Sequence, residues 1–229
     1  MSGEADLTKQ LGVIARQQLL LRYMSLVAGA GALGWFFTSA MLSVTWGFGG
    51  VWAGSIFGLA VGLAQTRVLE RCIPSHDWSR WTLFSVAGGT IAWLVFMTLI
   101  AIPPIILHIT AISDPEFWHL FPIVALLIAG AIFGLAQWLL LRRTFQGTVS
   151  WLLANTFGWA LGGAIGISIA SVIYDNIIPS NWKGSILIGP GEGLFMLLSG
   201  VTGTIVFSAV TGVAFLGLSQ SISGTRDLR

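Results

Sequence analysis

Three glutamines are the polar residues best placed to do chemistry in this chain, because each lies near the end of a long apolar segment. The string Gly-Leu-Ala-Gln ends at Gln65 and again at Gln137, and Gly-Leu-Ser-Gln ends at Gln220. An amide inside a bilayer needs hydrogen-bond partners. The repeated position predicts one of two arrangements. Each glutamine bonds a neighbouring helix or interfacial water, or the three form a polar ring that binds a small solute or a metal-centred pigment.

Glycine recurs at every fourth position in three apolar segments. The small residues in this pattern are Gly50, Gly54, Gly58 and Gly62, then Gly158, Gly162, Gly166 and Ala170, and then Gly200, Thr204, Ser208 and Gly212. Four residues turn a helix by about 400°, so each set forms a nearly straight groove on one helix face. Small residues allow close helix packing in lipid, which is the favoured interpretation. The alternative is a groove for a flat apolar ligand such as a lipid tail, a quinone or a pigment.

Residues for catalysis or ion coupling do not form a recognisable pattern. The middle third of each predicted helix has no Asp, Glu, Lys, Arg or His, although such groups usually mark proton relays and ion-driven transport. The sequence has no Walker loop, HExxH or CxxC motif, and its three histidines are too scattered for a metal site. We therefore predict no catalytic residue, no metal and no required cofactor, while bound lipid, quinone or pigment stays open. The nearest acid–base candidates are His108, Asp114, His119 and Glu192.

Composition indicates the class of protein that must position these residues. The chain of 229 residues is 55% hydrophobic and only 9% charged, against roughly 25% charged residues in soluble proteins. Continuous apolar runs long enough for a bilayer core of about 30 Å favour helices over barrel strands. We expect an all-α membrane protein with spans at 23–43, 47–69, 81–102, 119–141, 151–174 and 194–218.

The positive charges predict the orientation of these six spans. One side receives ten of the eleven Lys and Arg residues, and the other side receives Lys183 alone. By the positive-inside rule, both termini are cytoplasmic. We divide the chain into a cytoplasmic extension at 1–20, amphipathic or flexible, a single transmembrane domain at 21–218 and a cytoplasmic tail at 219–229. The net charge of +2 is too small to favour nucleic-acid binding.

The glutamine motif belongs to a longer repeat that predicts three two-helix hairpins. After Gln65 and Gln137, a short turn leads to a helix that opens with Trp81 or Trp151, and a glycine follows seven residues later. We interpret Trp78, Trp81 and Trp151 as members of an aromatic belt at the inner membrane surface. Trp93 and Trp159 lie nearer mid-helix, where we expect them in the core rather than against a bound apolar molecule.

Two outer connections and one cysteine complete the sequence-based expectations. We expect connections at 103–117, opening with Pro103 and Pro104, and at 175–192. The acid after Pro115 is typical of a helix start. Cys72, as the single cysteine, excludes an intrachain disulfide and is a candidate for acylation beside the membrane.

The string Gly-Leu-Ala-Gln-Trp-Leu-Leu-Leu-Arg-Arg, which ends at Arg143, is followed by Trp151 and then by Gly158 and Trp159. This segment resembles a class of uncharacterised multi-pass membrane proteins common in cyanobacteria and some other bacteria. The resemblance covers 125–165 well and 54–93 less well. It implies a bacterial plasma-membrane or thylakoid setting, and it carries no catalytic or binding residue across.

These observations leave three functional hypotheses. The leading one is a non-catalytic accessory or assembly subunit, partnered by the bilayer and by other membrane subunits or further copies of itself. The second is a facilitator for a small neutral or hydrophobic solute, which needs a continuous polar path through the bundle. A protein that binds lipid, quinone or pigment is a variant of these, and an intramembrane enzyme is the weakest hypothesis.

Overall fold

The computed structural model describes the backbone of residues 2–45, 49–72, 78–110, 115–143, 145, 147–180 and 190–226. It describes side chains at 13–37, 52–72, 78–100, 121–143, 145, 147–180 and 193–218. Within these ranges the fold consists of six helices and contains no strand. The helices are α1 (Ser2–Thr45), α2 (Gly49–Cys72), α3 (Ser79–Thr110), α4 (Pro115–Leu141), α5 (Val149–Asn176) and α6 (Pro190–Arg226).

Five of the six helices are long and apolar enough to cross a membrane, which agrees with the predicted helical membrane protein. The five spans are Val13–Phe37, Ser79–Ile100, Phe121–Leu141, Val149–Asn176 and Gly193–Leu218. The exception is α2, although a span was predicted at 47–69. In the described part of α2, at 52–72, the polar and charged side chains of Gln65, Arg67 and Glu70 lower the average hydropathy.

Three helices extend well beyond their predicted limits, and one of them is α6, which continues to Arg226 within the predicted tail at 219–229. The chain from Ser2 runs without a break into the first span, so the predicted N-terminal extension is the start of α1. Helix α3 continues through Pro103 and Pro104 to Thr110, where the sequence predicted a connection. Prolines are tolerated in membrane helices because other groups satisfy the freed backbone carbonyls. The predicted helix start at Pro115 is confirmed.

The six helices form a closed ring. Each helix packs against the one before it and the one after it in the chain, and α6 packs against α1. Every helix therefore presents one face to the middle of the ring and another to the outside. Large apolar side chains are exposed on the outside of each helix, for example Leu33, Leu63, Leu94, Val124, Leu161 and Val213. Such a surface suits a lipid environment.

Most glycines of the predicted pattern lie directly against a neighbouring helix. A methyl group added at Gly58 would overlap the carbonyl of Ser85 on α3, and one at Gly162 would overlap the carbonyl of Gly203 on α6. The other predicted glycines in contact with a neighbouring helix are Gly54, Gly62, Gly158, Gly166, Gly200 and Gly212. Gly50 lies in α2, but its surroundings fall outside the described residues. At these positions the lack of a side chain lets neighbouring helices approach closely.

Candidate functional site: a buried amide and indole network

The structure brings two of the three predicted glutamines together. Gln65 on α2 and Gln137 on α4 are both fully buried, and the Gln137 Nε2 donates a hydrogen bond of 2.8 Å to the Gln65 Oε1. The side chain of Gln220, the third member of the predicted ring, lies outside the described residues. The two amides therefore form a direct bond across the middle of the helix ring.

Two tryptophans donate hydrogen bonds to the carbonyl oxygens of these amides. The indole Nε1 of Trp81 on α3 donates to the Gln65 Oε1 at 3.1 Å, and that of Trp151 on α5 donates to the Gln137 Oε1 at 2.9 Å. Each amide thus bonds the tryptophan that opens the next helix in the chain. The two indole rings also meet edge to face, with their centroids 5.7 Å apart.

The predicted inner aromatic belt is wrong for Trp78, Trp81 and Trp151. Both side chains are only 1% exposed, and Trp78 is 4% exposed, so all three lie inside the bundle rather than at the lipid interface. Position near a helix end does not distinguish a belt tryptophan from one that turns inward to meet a buried acceptor. By contrast, Trp93 and Trp159 are buried in the core as predicted.

A tyrosine and a serine extend the network to further helices. The Gln65 Nε2 donates to the hydroxyl of Tyr23 on α1 at 3.1 Å, and that hydroxyl lies beside the Thr211 side chain on α6. The Gln137 Nε2 donates to the Ser85 hydroxyl on α3 at 2.8 Å, and Ser85 donates in turn to the carbonyl of Trp81 at 2.9 Å. All six helices therefore contribute a residue to this cluster.

The hydrogen-bonding capacity of the two amides is largely used within the protein. A side-chain amide has two N–H donors and a carbonyl oxygen with two acceptor positions. Both donors of Gln137 have partners, and both acceptor positions of the Gln65 Oε1 are taken by Trp81 and Gln137. A ligand would have to break these bonds to reach the amides. The arrangement is therefore that of a structural hydrogen-bond network between helices.

An aromatic cluster fills the middle of the ring beside this network. Phe57, Phe133 and Phe207, from α2, α4 and α6, have ring centroids 6.2–6.5 Å apart from one another. Trp159 on α5 lies within 6.3 Å of all three. Phe133 and Phe207 are one helical turn from Gln137 and Thr211, so the apolar layer directly adjoins the polar one.

Four buried polar atoms in the described part of the chain have no hydrogen-bond partner. They are the indole Nε1 atoms of Trp93, Trp138 and Trp159, and the Oδ1 of Asn155. The Nδ2 of Asn155 donates to the carbonyl of Trp151 at 2.9 Å. Buried polar atoms without partners are rare in proteins, so each of these positions needs an explanation.

Arginines gather at the end of the bundle that holds the network. Arg22 precedes Tyr23, Arg80 precedes Trp81, and Arg67 follows Gln65 by two residues, and all three side chains are exposed. Arg142 lies over the ring of Trp138, 4.9 Å from its centroid. At the same end, burial raises the pKa of the Cys72 thiol above its ordinary value.

Sequence reasoning missed four members of the cluster, namely Tyr23, Ser85, Thr211 and Asn155. A signal for two of them is visible in retrospect, since Ser85 and Asn155 each follow the tryptophan of the network by four residues. Residues four apart lie on one helix face, so a polar residue there faces the same way as the indole. The acid–base candidates at 108, 114, 119 and 192 have no described side chains.

No family model, curated protein or solved structure matches this chain. The predicted resemblance to bacterial multi-pass proteins therefore stays a prediction. The geometry of the described residues carries the functional argument instead.

Proposed function

We propose that this protein is a non-catalytic integral membrane subunit that assembles with, or supports, a larger membrane complex. The observation that carries this proposal is the filled interior of the helix ring. Phe57, Phe133 and Phe207 meet in the middle, and Gln65 and Gln137 are bonded to their neighbours. With the interior used for its own packing, the outer surface is the part that contacts other molecules.

The same interior gives less support to a facilitator. A solute that crosses a helix bundle needs a path lined by polar groups or water. The aromatic cluster occupies the middle of the ring, and the adjoining polar groups are bonded to each other. A solute path through the ring would require these aromatic side chains to move apart.

We also propose that the ring is built from three hairpins, with the N- and C-termini on the cytoplasmic side. Two equivalent hydrogen bonds support the division into three hairpins: Gln65 with Trp81 and Gln137 with Trp151. The contact between Thr211 and Tyr23 joins α6 to α1 in the same way and is the third such pair. In this alignment of the three hairpins, Thr211 and not Gln220 is the counterpart of Gln65 and Gln137.

Packing about three turns away supports the same register. A methyl group at Gly54 would meet Trp93, and one at Gly200 would meet Trp35. Trp93 follows Trp81 by twelve residues, as Trp35 follows Tyr23, and Gln65 follows Gly54 by eleven, as Thr211 follows Gly200. Helices α6 and α1 thereby close the ring as α2 and α3 do. A bacterial plasma or thylakoid membrane is the proposed setting, and it rests on the sequence resemblance alone.

The proposal is tested with photo-crosslinking amino acids at exposed outer positions, one per helix. Suitable positions are Leu33, Leu63, Leu94, Val124, Leu161 and Val213. The variants are irradiated in the native membrane, purified in mild detergent and analysed by mass spectrometry. We expect a partner protein, or a second copy of the chain, to be captured from one or two adjacent helices.

The positions on the opposite side of the ring serve as the matched controls. They are equally exposed and apolar, so a nonspecific neighbour would be captured from them as readily. Capture of lipid alone from all six positions, with a monodisperse single chain after purification, would contradict a role as a subunit. Capture of the same partner from one sector would instead define the docking face.

A further inference from the structure

Asn155 and Trp159 lie on successive turns of α5, on the face that packs against α4. A methyl group added at Gly130 would lie 2.7 Å from the Trp159 Cβ, and one at Gly134 would lie 2.7 Å from the Asn155 Cβ. The Trp159 ring reaches the central aromatic cluster. Asn155 stands one turn closer to the amide network, since it follows Trp151 by four residues. The two side chains thus occupy the boundary between the polar and aromatic layers.

Each of these side chains carries one buried atom whose hydrogen-bonding capacity is unused by the described residues. The Asn155 side chain is fully buried, and that of Trp159 is 8% exposed. The bond from the Asn155 Nδ2 to the carbonyl of Trp151 fixes which end of the carboxamide is nitrogen, because exchanging the two ends would set oxygen against oxygen. The Oδ1 therefore needs a donor, while the Trp159 Nε1 needs an acceptor.

A hydroxyl group has both of the missing functions. Its oxygen accepts from the indole N–H, and its proton is donated to the carboxamide oxygen. Residues four apart lie on the same helix face, so the two side-chain ends can converge on one oxygen that accepts from the indole and donates to the carboxamide. We propose that Asn155 and Trp159 form a binding site for one hydroxyl group, supplied either by an internal water or by the hydroxyl end of an otherwise apolar molecule.

Trp93 offers an internal control for this site. Its Nε1 is likewise buried and without a partner among the described residues. The residue four positions earlier on α3 is Gly89, which has no side chain to complete a bridge. Trp159 is therefore a buried indole with an unused acceptor on the preceding turn, whereas Trp93 is a buried indole with no side-chain acceptor on the preceding turn.

The test is a proton–nitrogen correlation experiment on the full chain with 15N-indole tryptophan, in deuterated detergent. The variants Trp159→Phe and Trp93→Phe assign the two indole signals. We expect the Trp159 indole proton to resonate at higher frequency than that of Trp93 and to receive magnetisation from a second molecule. In Asn155→Leu, which keeps the branched shape of the side chain without its polar atoms, the Trp159 signal should move towards that of Trp93.

The source of the magnetisation identifies the hydroxyl. Transfer from water that persists after exhaustive delipidation assigns an internal water. Transfer from non-exchangeable protons that is lost on delipidation assigns an apolar alcohol, which mass spectrometry of the extract then identifies. A Trp159 signal like that of Trp93 would overturn the proposal, as would a signal that depends on Asn155 but receives no magnetisation from another molecule. The unmutated protein alone decides the first point if Asn155→Leu does not fold.

The site is independent of assembly with other subunits. Its failure would leave the photo-crosslinking result untouched, and a lone particle in detergent would leave the indole signal untouched.

Discussion

Helices α2 and α3 are joined by the same kind of bond as helices α4 and α5, yet the two pairs are packed differently. Gln65 accepts from Trp81 at 3.1 Å and Gln137 accepts from Trp151 at 2.9 Å. Farther along the first pair, Gly54 lies against the backbone of Gly89 and against Trp93. At the equivalent level of the second pair the small and large residues have changed sides.

This exchange is visible at Gly163. A methyl group there would meet the side chain of Leu126, so the glycine is on α5 and the larger residue is on α4. The total volume between two helices matters more for packing than which helix supplies it. A buried hydrogen bond is stricter, because its donor and acceptor must meet at about 2.9 Å with good alignment. The amide–indole bonds therefore fix the register between the two helices of each pair, and the glycines adjust the distance between them.

The largest expected effect comes from filling the closest backbone contacts in both pairs. Gly58→Leu places a side chain against the carbonyl of Ser85, and Gly130→Leu places one against the carbonyl of Asn155. Neither carbonyl can move without shifting a helix. We expect each variant to lose about 3 kcal/mol or more of unfolding free energy, seen as aggregation on size-exclusion chromatography in mild detergent.

The control for both variants is Gly217→Leu. A methyl group at Gly217 meets nothing within 4 Å, and the residue is exposed on α6. This variant adds the same side chain to the same kind of helix, so it should elute and melt like the unmutated protein. Equal damage in all three variants would show that the glycines matter for helix flexibility rather than for close contact.

Removing one amide at a time should destabilise the two helix pairs by different amounts. Gln65→Leu leaves the Trp81 indole and one Gln137 N–H without an acceptor, and it removes the donor to Tyr23. Since each buried donor left unpaired costs about 1–3 kcal/mol, the two donors together should cost about 2–6 kcal/mol. Gln137→Leu orphans the Trp151 indole alone, so its loss should be smaller, about 1–3 kcal/mol.

Unfolding in mixed detergent and sodium dodecyl sulfate measures this difference. Combining Gln65→Leu with Trp81→Phe removes the stranded donor together with its acceptor, and it should recover part of the loss. Leucine variants as stable as the unmutated protein would mean that the network is dispensable for folding. A larger loss for Gln137→Leu than for Gln65→Leu would contradict the assignment of Gln65 as the shared acceptor.

The exchange of large and small residues leads to a finer prediction. Gly54→Ala sets a methyl group against the backbone carbonyl of Gly89, whereas Gly163→Ala sets one against the terminal methyl of Leu126. A side-chain tip can rotate away and a backbone cannot. We expect Gly54→Ala to cost about 1–3 kcal/mol and Gly163→Ala less than about 1 kcal/mol.

Thermal midpoints of the two alanine variants check this order. The double variant Leu126→Ala with Gly163→Leu moves the large residue back to the α5 side and should be more stable than Gly163→Leu alone. The absence of such a rescue would mean that Leu126 and Gly163 do not share one space.

The sequence predicted the helices and most packing glycines because both depend on local patterns. Apolar runs of about 20 residues and small residues at every fourth position are visible without a partner. The pairing of Gln65 with Gln137 was harder to predict, since 72 residues separate them. Their repeated motif hinted at a meeting point, but it did not show which donors would reach them.

Local patterns did not predict the inward-facing tryptophans or the contact between α6 and α1. Trp81 and Trp151 stand near helix ends, where an indole can turn to the lipid interface or inward, and only the packed bundle shows the inward choice. Thr211 has none of the letters of the glutamine motif, so its place beside Tyr23 was hidden while Gln220 matched. Contacts across a closed ring are decided by the opposite helix, which a local pattern does not contain.

The smallest expected effect distinguishes the C-terminal ends of α2 and α4 by chemistry rather than stability. Because burial raises the pKa of the Cys72 thiol, less of it is thiolate near neutral pH than in an exposed cysteine. Maleimide reacts with thiolate, so Cys72 should be labelled more slowly than an exposed thiol, and its rate should keep rising to higher pH. The matched variant is Arg143→Cys in a Cys72→Ser background, since Arg143 is exposed at the end of α4. Faster labelling at Cys72 than at Cys in position 143 would mean that the end of α2 is open to solvent, and that the α2–α3 pair is the looser of the two.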